Sequence, residues 1–391
     1  MSRLILVVAV AFPLLIGTQS APLRAQPTAS RPDTVDRFIA AEMARRHIPG
    51  VSLAVVRGGK VIKAGGYGMA DLEHRIAVTP QTVFKIGSVS KQFLATGVML
   101  LAQDGRLSVD DPISKFYPGA PESWRDITVR HFLTHTSGVL REGPAFDAMK
   151  VQHDSVVIRS AFVAPLQFPT GSKYQYCNVC YFTLADLIAR VSGKPWDAFL
   201  AERVFRPVAM TSTRTTTTTE LIPNRARGYV WRDSGYVNAA EFLALRPSGA
   251  FLSSVLDLVK WDAALATDRI LTKASREAMW TPVRLTGGGS YGYGFGWTLD
   301  SLDGHWRVHH GGSLPGFRAE MARFPNDSLT VIVLTNGDSA RPDEIAAGVA
   351  RVYLSGGKRT SATPRVGRTS ASPPSAEPNA SIGRSHRPSR M

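Results

Sequence analysis

Phe84-Lys85-Ile86-Gly87-Ser88-Val89-Ser90-Lys91 runs straight into Gln92-Phe93-Leu94-Ala95-Thr96-Gly97-Val98-Met99-Leu100-Leu101, and the reading of this stretch decides the fold. Apolar residues recur at Phe93, Leu94, Val98, Leu101 and Ala102, a period near 3.6, which predicts a helix over 88–103. A serine opening that helix holds its hydroxyl at the positive end of the dipole, beside backbone amides with no intrahelical partner. Lys91, three positions on, returns to the same face. A lysine acts as a base only when neutral, and its ordinary pKa is about 10.4. Apolar surroundings such as Phe84, Ile86, Phe93 and Leu94 desolvate an amine and lower that value. Ser-x-x-Lys alone is a common pairing of a capping serine with a surface lysine, so its meaning depends on the rest of the chain.

Upstream, Val51–Arg57 and Lys60–Tyr67 read as strands joined at Gly58-Gly59, a hairpin signal. A helix over Asp33–Arg46 precedes them and stops at Pro49-Gly50. Downstream, residues 79–266 read as mainly helical. Helical spacing marks Asp126–His135, Leu184–Val191 and Trp196–Val204, and Ser254 with Asp257 forms a capping-box pattern. Thr211–Thr219 is Thr-rich and reads as an extended surface loop. Past Gly287 the β signal returns in Tyr293–Leu299, Trp306–His309, Phe317–Phe324 and Leu329–Asn336, with a last helix over Pro342–Leu354. The expected fold class is α+β: one antiparallel sheet built from both chain ends, flanked by helices, with a mainly helical region inserted and a cleft between.

Composition narrows the function classes. The 391 residues are 44% hydrophobic, enough for a substantial core. The net charge is +15, but Lys358 and six arginines (359, 365, 368, 384, 387, 390) stand against Glu377 alone in the tail. The remaining charge forms no basic stripe interleaved with aromatics, which argues against a nucleic-acid partner. Arg3 ahead of the apolar run Leu4–Ile16 reads as an export signal too short to span a bilayer, with Ala21 and Ala25 near a cleavage region. The expected organisation is a signal peptide over 1–25, a folded domain over 26–355 and a disordered basic tail over 356–391, in a secreted or periplasmic protein with no later transmembrane segment. Cys177 and Cys180 cannot supply a four-ligand zinc site. They are expected as small residues packed near a helix start, with a local disulfide as the alternative.

Two further constellations could carry chemistry. In Tyr174-Gln-Tyr176-Cys-Asn178 an extended backbone would turn Tyr176 and Asn178 the same way. The phenol could then shuttle a proton beside a serine while the amide orients a carbonyl. In Val308-His309-His310-Gly311-Gly312-Ser313-Leu314-Pro315-Gly316-Phe317 a β run ends in histidine, followed by small residues that admit a ligand close to the backbone. A backbone N–H there could complete an oxyanion hole with that of Ser88. The His309-His310 pair has no acidic or histidine partner at metal-ligand spacing, whereas His131 and His135, four apart on an expected helix, could chelate but read as structural in their apolar, turn-forming context.

Together and in order, Ser88-Val-Ser-Lys91, Tyr176-Cys-Asn178 and His310-Gly-Gly312 resemble the three motifs of the serine β-lactamase and D-alanyl-D-alanine peptidase superfamily, in its class C β-lactamase-like branch. Phe132-Leu-Thr-His-Thr-Ser-Gly138 and Ser313-Leu-Pro-Gly-Phe317 resemble further landmarks of that family, and the resemblance spans roughly residues 33–355. It implies a serine hydrolase forming an acyl-enzyme on Ser88, with Lys91 and Tyr176 sharing the proton work. Asn178 would position the substrate amide, and the N–H groups of Ser88 and Ser313 would hold the oxyanion. The substrate would be a small molecule or cell-wall peptide with a peptide, ester or β-lactam carbonyl, and no cofactor or metal is implied. A penicillin-binding sensor that acylates without turnover is the alternative. Two residues depart from the class C pattern: Cys177 stands where a small residue is usual, and His310 stands in place of lysine. Histidine is a weaker, pH-dependent anchor for a substrate carboxylate, an expectation against efficient β-lactam hydrolysis.

Overall fold

The computed structural model describes residues 33–215, 219–243 and 247–354. The expected signal segment, the basic tail and part of the Thr-rich loop lie outside the described residues.

Strands from both ends of the chain build one antiparallel sheet. β1 (Gly50–Arg57), β2 (Lys60–Asp71) and β3 (Ile76–Ala77) precede the helical region. β4 (Thr298–Leu302), β5 (His305–Leu314), β6 (Phe317–Phe324) and β7 (Leu329–Thr335) follow it. Their order is β4-β5-β6-β7-β1-β2-β3. The two ends meet where β1 pairs with β7, from Val51 opposite Thr335 to Arg57 opposite Leu329. Both strands are β-branched and apolar almost throughout because both faces of the sheet are covered. Leu53, Val55, Val331 and Val333 pack with Ile39 of α1 (Thr34–Arg46) and with Ile345 and Val349 of the C-terminal helix, Pro342–Leu354. Their neighbours Ala54, Ile332 and Leu334 turn to the opposite face and join the larger core beneath the helical region.

At the centre of that region lies α2 (Lys91–Gln103), buried at every position from Lys91 to Leu101. A helix apolar all round must be a core helix. It packs against α4 (Asn178–Ser192), which in turn packs against α3 (Asp154–Phe162). Phe93 is enclosed by the rings of Phe205, Phe251 and Trp261, the last from α5 (Val255–Leu265). Ser254 caps α5 by accepting from Asp257 N. No helix among the described residues is long and apolar enough to cross a membrane.

Several boundaries differ from the sequence reading. The helix expected over Asp126–His135 is only Val129–Leu133, started by Thr128. α4 begins at Asn178, ahead of the expected Leu184, because its first turn is capped by Cys177 and by the loop carbonyl of Arg141. The strand expected from Tyr293 starts at Thr298, since Phe295 N bonds Met279 O and Gly294 N bonds Trp297 O in place of a strand partner.

Candidate active site

Ser88 is positioned by a turn. Gly87 takes φ 52, a left-handed conformation that favours glycine, and a 3-10 turn over Gly87–Ser90 leads into α2 at Lys91. Ser88 thus stands one turn ahead of the α-helix that it was expected to open. The wall facing it is the glycine run of β5. A Cβ on Gly87 would lie 2.5 Å from Ser313 N, and one on Gly312 would lie 1.8 Å from Ile86 O. Only glycine at both positions lets the 86–88 and 312–313 backbones touch. Across the same contact, Ser88 N would lie 3.1 Å from a Cβ on Gly312.

Lys91 is fully buried, and its Nζ faces three oxygens: Ser88 Oγ at 3.1 Å, Asn178 Oδ1 at 2.9 Å and Ser248 O at 2.9 Å. It also lies 4.7 Å from the centre of the Tyr176 ring and 5.4 Å from that of Tyr181. Tyr176 is half-buried, with the Arg141 guanidinium 5.3 Å from its ring centre. Asn178 is held at both ends of its amide, because its Nδ2 donates to Glu142 Oε1 at 2.5 Å. The backbone of Asn178 and Val179 donates to Arg141 O, which closes the N-terminus of α4. Tyr176 and Asn178 therefore both face Lys91, through a helix start where an extended segment was expected.

Cys177 and Cys180 are joined as a disulfide, which corrects the expectation of two separately packed thiols. Both are fully buried, and the bridge encloses Asn178 in the first turn of α4.

His310 is buried, with Nε2 2.9 Å from Tyr293 Oη and Nδ1 2.6 Å from Gly311 O. Burial first, and then the charge of Lys91, push its pKa down to about 3, so the ring is neutral at physiological pH. His135, also buried, is held well below its ordinary value by the same two causes. His309 points to the other face of the strand, 2.7 Å from Glu320 Oε1 and 3.3 Å from Asp300 Oδ2. Burial opposes its charge, but Glu320 and Asp300 outweigh that and raise its pKa. His131 lies elsewhere, closing the capping box at Thr128.

Ser88, Lys91, Tyr176, Asn178, His310, Gly312 and Ser313 are thus brought together where the sheet meets the helical region. Glu142, Ser248 and Tyr293 were not singled out from sequence. Tyr291-Gly-Tyr293-Gly-Phe295-Gly-Trp297, with glycine between every pair of aromatics, is a signal that could have found Tyr293. Ser248 contributes a backbone carbonyl, which no side-chain pattern reveals. Among the described residues the one group with metal-ligand geometry is Asp71, Glu73 and His74, at the sheet edge and already paired with Arg227.

Comparison with known proteins identifies the family. The Beta-lactamase family profile matches residues 35–354. Penicillin-binding protein 4* of Bacillus subtilis (strain 168) is 30% identical over 306 residues, covering 73% of this chain and 67% of that protein. The octameric penicillin-binding protein homologue from Pyrococcus abyssi superposes with TM-score 0.74 at 28% identity, over 82% of this chain and 77% of its own. D-amino acid amidase from Ochrobactrum anthropi SV3, in its complex with L-phenylalanine amide, gives TM-score 0.73 at 25% identity, over 83% and 99%. With its fold, its ordered motifs and its matched residues in agreement, the chain belongs to the Beta-lactamase family of serine hydrolase folds.

Proposed function

We propose that the protein is an exported serine hydrolase that cleaves amide or ester bonds of small-molecule or cell-wall peptide substrates through an acyl-enzyme on Ser88. The observation that carries this reading is the set of oxygens around Lys91. Asn178 Oδ1 and Ser248 O can only accept, so they take two N–H bonds of the amine. When Lys91 is neutral, its lone pair is then left toward Ser88 Oγ, and it can receive the serine proton.

Ser88 Oγ attacks the carbonyl carbon, and the N–H groups of Ser88 and Ser313 stabilise the oxyanion. The C–N or C–O bond breaks, and the proton taken by Lys91, with Tyr176 beside it, goes to the leaving group. Water then splits the acyl–Oγ bond and restores Ser88. Asn178, fixed by Glu142, orients the substrate amide. Because His310 is neutral, the third motif offers no cation to a β-lactam carboxylate, and simple esters and amides suit the cleft better. The disulfide and the N-terminal apolar run support export, since disulfides persist in oxidising compartments.

The test is labelling with a fluorophosphonate, with Ser88→Ala as control, followed by turnover of a p-nitrophenyl ester, a D-amino acid amide, a D-Ala-D-Ala peptide and nitrocefin. Labelling of the wild type alone and steady turnover of ester or amide ahead of nitrocefin is expected. Equal labelling of both proteins rules the reading out, and a stoichiometric burst without turnover assigns the protein to the sensor class instead.

A further inference from the structure

The two histidines beneath the cleft are joined through a buried tyrosine into one continuous line of hydrogen bonds. Cys177 N lies 3.0 Å from His135 Nδ1, and His135 Nε2 lies 3.2 Å from Tyr293 Oη. Tyr293 Oη lies 2.9 Å from His310 Nε2, and His310 Nδ1 lies 2.6 Å from Gly311 O. The line starts beside Tyr176 and Asn178 and ends on the glycine run that meets Ser88.

Its two ends are backbone groups of fixed polarity. Cys177 N–H can only donate, so His135 Nδ1 must accept and Nε2 must carry the proton. Gly311 O can only accept, so His310 Nδ1 carries the proton and Nε2 accepts from Tyr293. The Tyr293 hydroxyl then receives from His135 and donates to His310, which uses its single proton. Tyr181, the adjacent phenol, gives its own proton to Leu133 O at 2.9 Å. Along this line one proton arrangement satisfies each of the four bonds with both imidazoles neutral. A proton added to His135 would set an N–H against Cys177 N–H, and one added to His310 would set an N–H against the proton that the Tyr293 hydroxyl now donates to it.

His135 also grips the tyrosine segment directly. It is a buried non-glycine residue at φ 59, and its carbonyl accepts from Gln175 N at 2.9 Å while its ring accepts from Cys177 N. The two amides flanking Tyr176 are thus held by one residue, whose ring lies 4.4 Å from that of Tyr176. A backbone held in a sparsely populated region persists only where its surroundings over-determine it.

We propose that His135, Tyr293 and His310 are positioning residues forming one strut of fixed proton arrangement, which holds Tyr176 and the Gly311–Ser313 wall in register. On this assignment His310 works from inside the protein, and it neither binds a substrate carboxylate nor carries the catalytic proton. The charged and titratable groups around the strut are Lys91 of α2, Arg141 of the cleft loop and the phenols of Tyr174, Tyr176 and Tyr181, with His309 behind it on the other face of β5; Lys91 disfavours charge on both imidazoles, Arg141 on His135 and His309 on His310.

NMR of protein labelled with 15N-histidine tests the strut without reference to activity. His310 protonated at Nδ1 and His135 protonated at Nε2, neither titrating between about pH 5 and 8, is expected. The opposite tautomer at either ring, or titration within that range, overturns it. The kinetic arm rests on the hydrolase reading, whereas the NMR arm does not, so failure of one is distinguishable from failure of the other. Tyr293→Phe should fold normally and lose roughly 10- to 100-fold in kcat with little change in KM. His135→Asn, whose amide oxygen can still accept from Cys177 N–H, should keep more activity than His135→Leu. Wild-type kcat in Tyr293→Phe, with its fold verified by circular dichroism, overturns the positioning role.

Discussion

At the scale of single residues, burial decides what a polar side chain does here. Lys91 has no solvent contact and is held by three oxygens, so its chemistry is set by neighbours rather than by water. Replacing it with methionine keeps the length of the side chain and removes the proton acceptor. Lys91→Met should slow acylation of a p-nitrophenyl ester roughly 10²- to 10⁴-fold, measured by stopped-flow absorbance, while thermal stability stays within a few degrees. Asp154 shows the same effect away from the cleft. Burial raises its carboxyl to about 6 although Trp196 Nε1 donates to it at 3.2 Å. A carboxyl that binds its proton more tightly folded than unfolded favours the native state in acid, and the protein loses stability as pH rises through the folded value. Asp154→Asn keeps the acceptor for Trp196 and removes the charge. It should gain about 1 kcal/mol near pH 8 and nothing near pH 4, as read from thermal melts at the two values.

At the scale of elements, function depends on where helices begin. α4 starts at Asn178, inside the bridge between Cys177 and Cys180, so the cap and the active-site amide are one structure. A loop this short constrains the unfolded chain by about 2 kcal/mol in the chain-entropy picture. The double variant Cys177→Ser, Cys180→Ser should lower stability by that order in a denaturant melt, with a larger proportional loss of ester turnover because Asn178 shifts. α2 depends on its apolar packing instead. Phe93→Ala would open a cavity among Phe205, Phe251 and Trp261 and should cost about 3–5 kcal/mol.

At the scale of the whole molecule, the sheet separates two electrostatic environments. One face of β5 carries neutral His310 toward the cleft. The other carries His309 among Glu320, Asp300 and Arg307, with Arg307 donating twice to Asp300 at 2.7 Å. Burial would raise the Asp300 carboxyl, but Arg307 and His309 hold it far below the usual carboxylate range. The stabilisation from Asp300 is therefore present above the ordinary carboxylate pKa and is lost as acid approaches the lowered folded value. That from His309, whose pKa is raised, is complete below about 6.5 and fades as pH rises through its folded value. Melting temperature should accordingly peak in weak acid. Asp300→Asn should remove about 1 kcal/mol there, after allowance for its partial exposure, and make no difference in strong acid.

Much of the architecture was legible in the chain, and so were the residues that the structure gathers around Lys91. Strand and helix periods are local, so an antiparallel sheet drawn from both ends and the central helix after Ser88 were legible without coordinates. So were Ser88, Lys91, Tyr176, Asn178 and the His310–Ser313 run, because each lies in a short motif of fixed spacing. Their supports emerge from the folded chain alone. Glu142 behind Asn178, Ser248 O on Lys91 and Tyr293 between two histidines come from segments far apart in the chain. A hydrogen bond between such segments leaves no periodic trace, and a backbone acceptor leaves none of any kind. The same holds for charge: His309 and His310 are adjacent in sequence, yet the opposite faces of one strand push the pKa of the first up and of the second down.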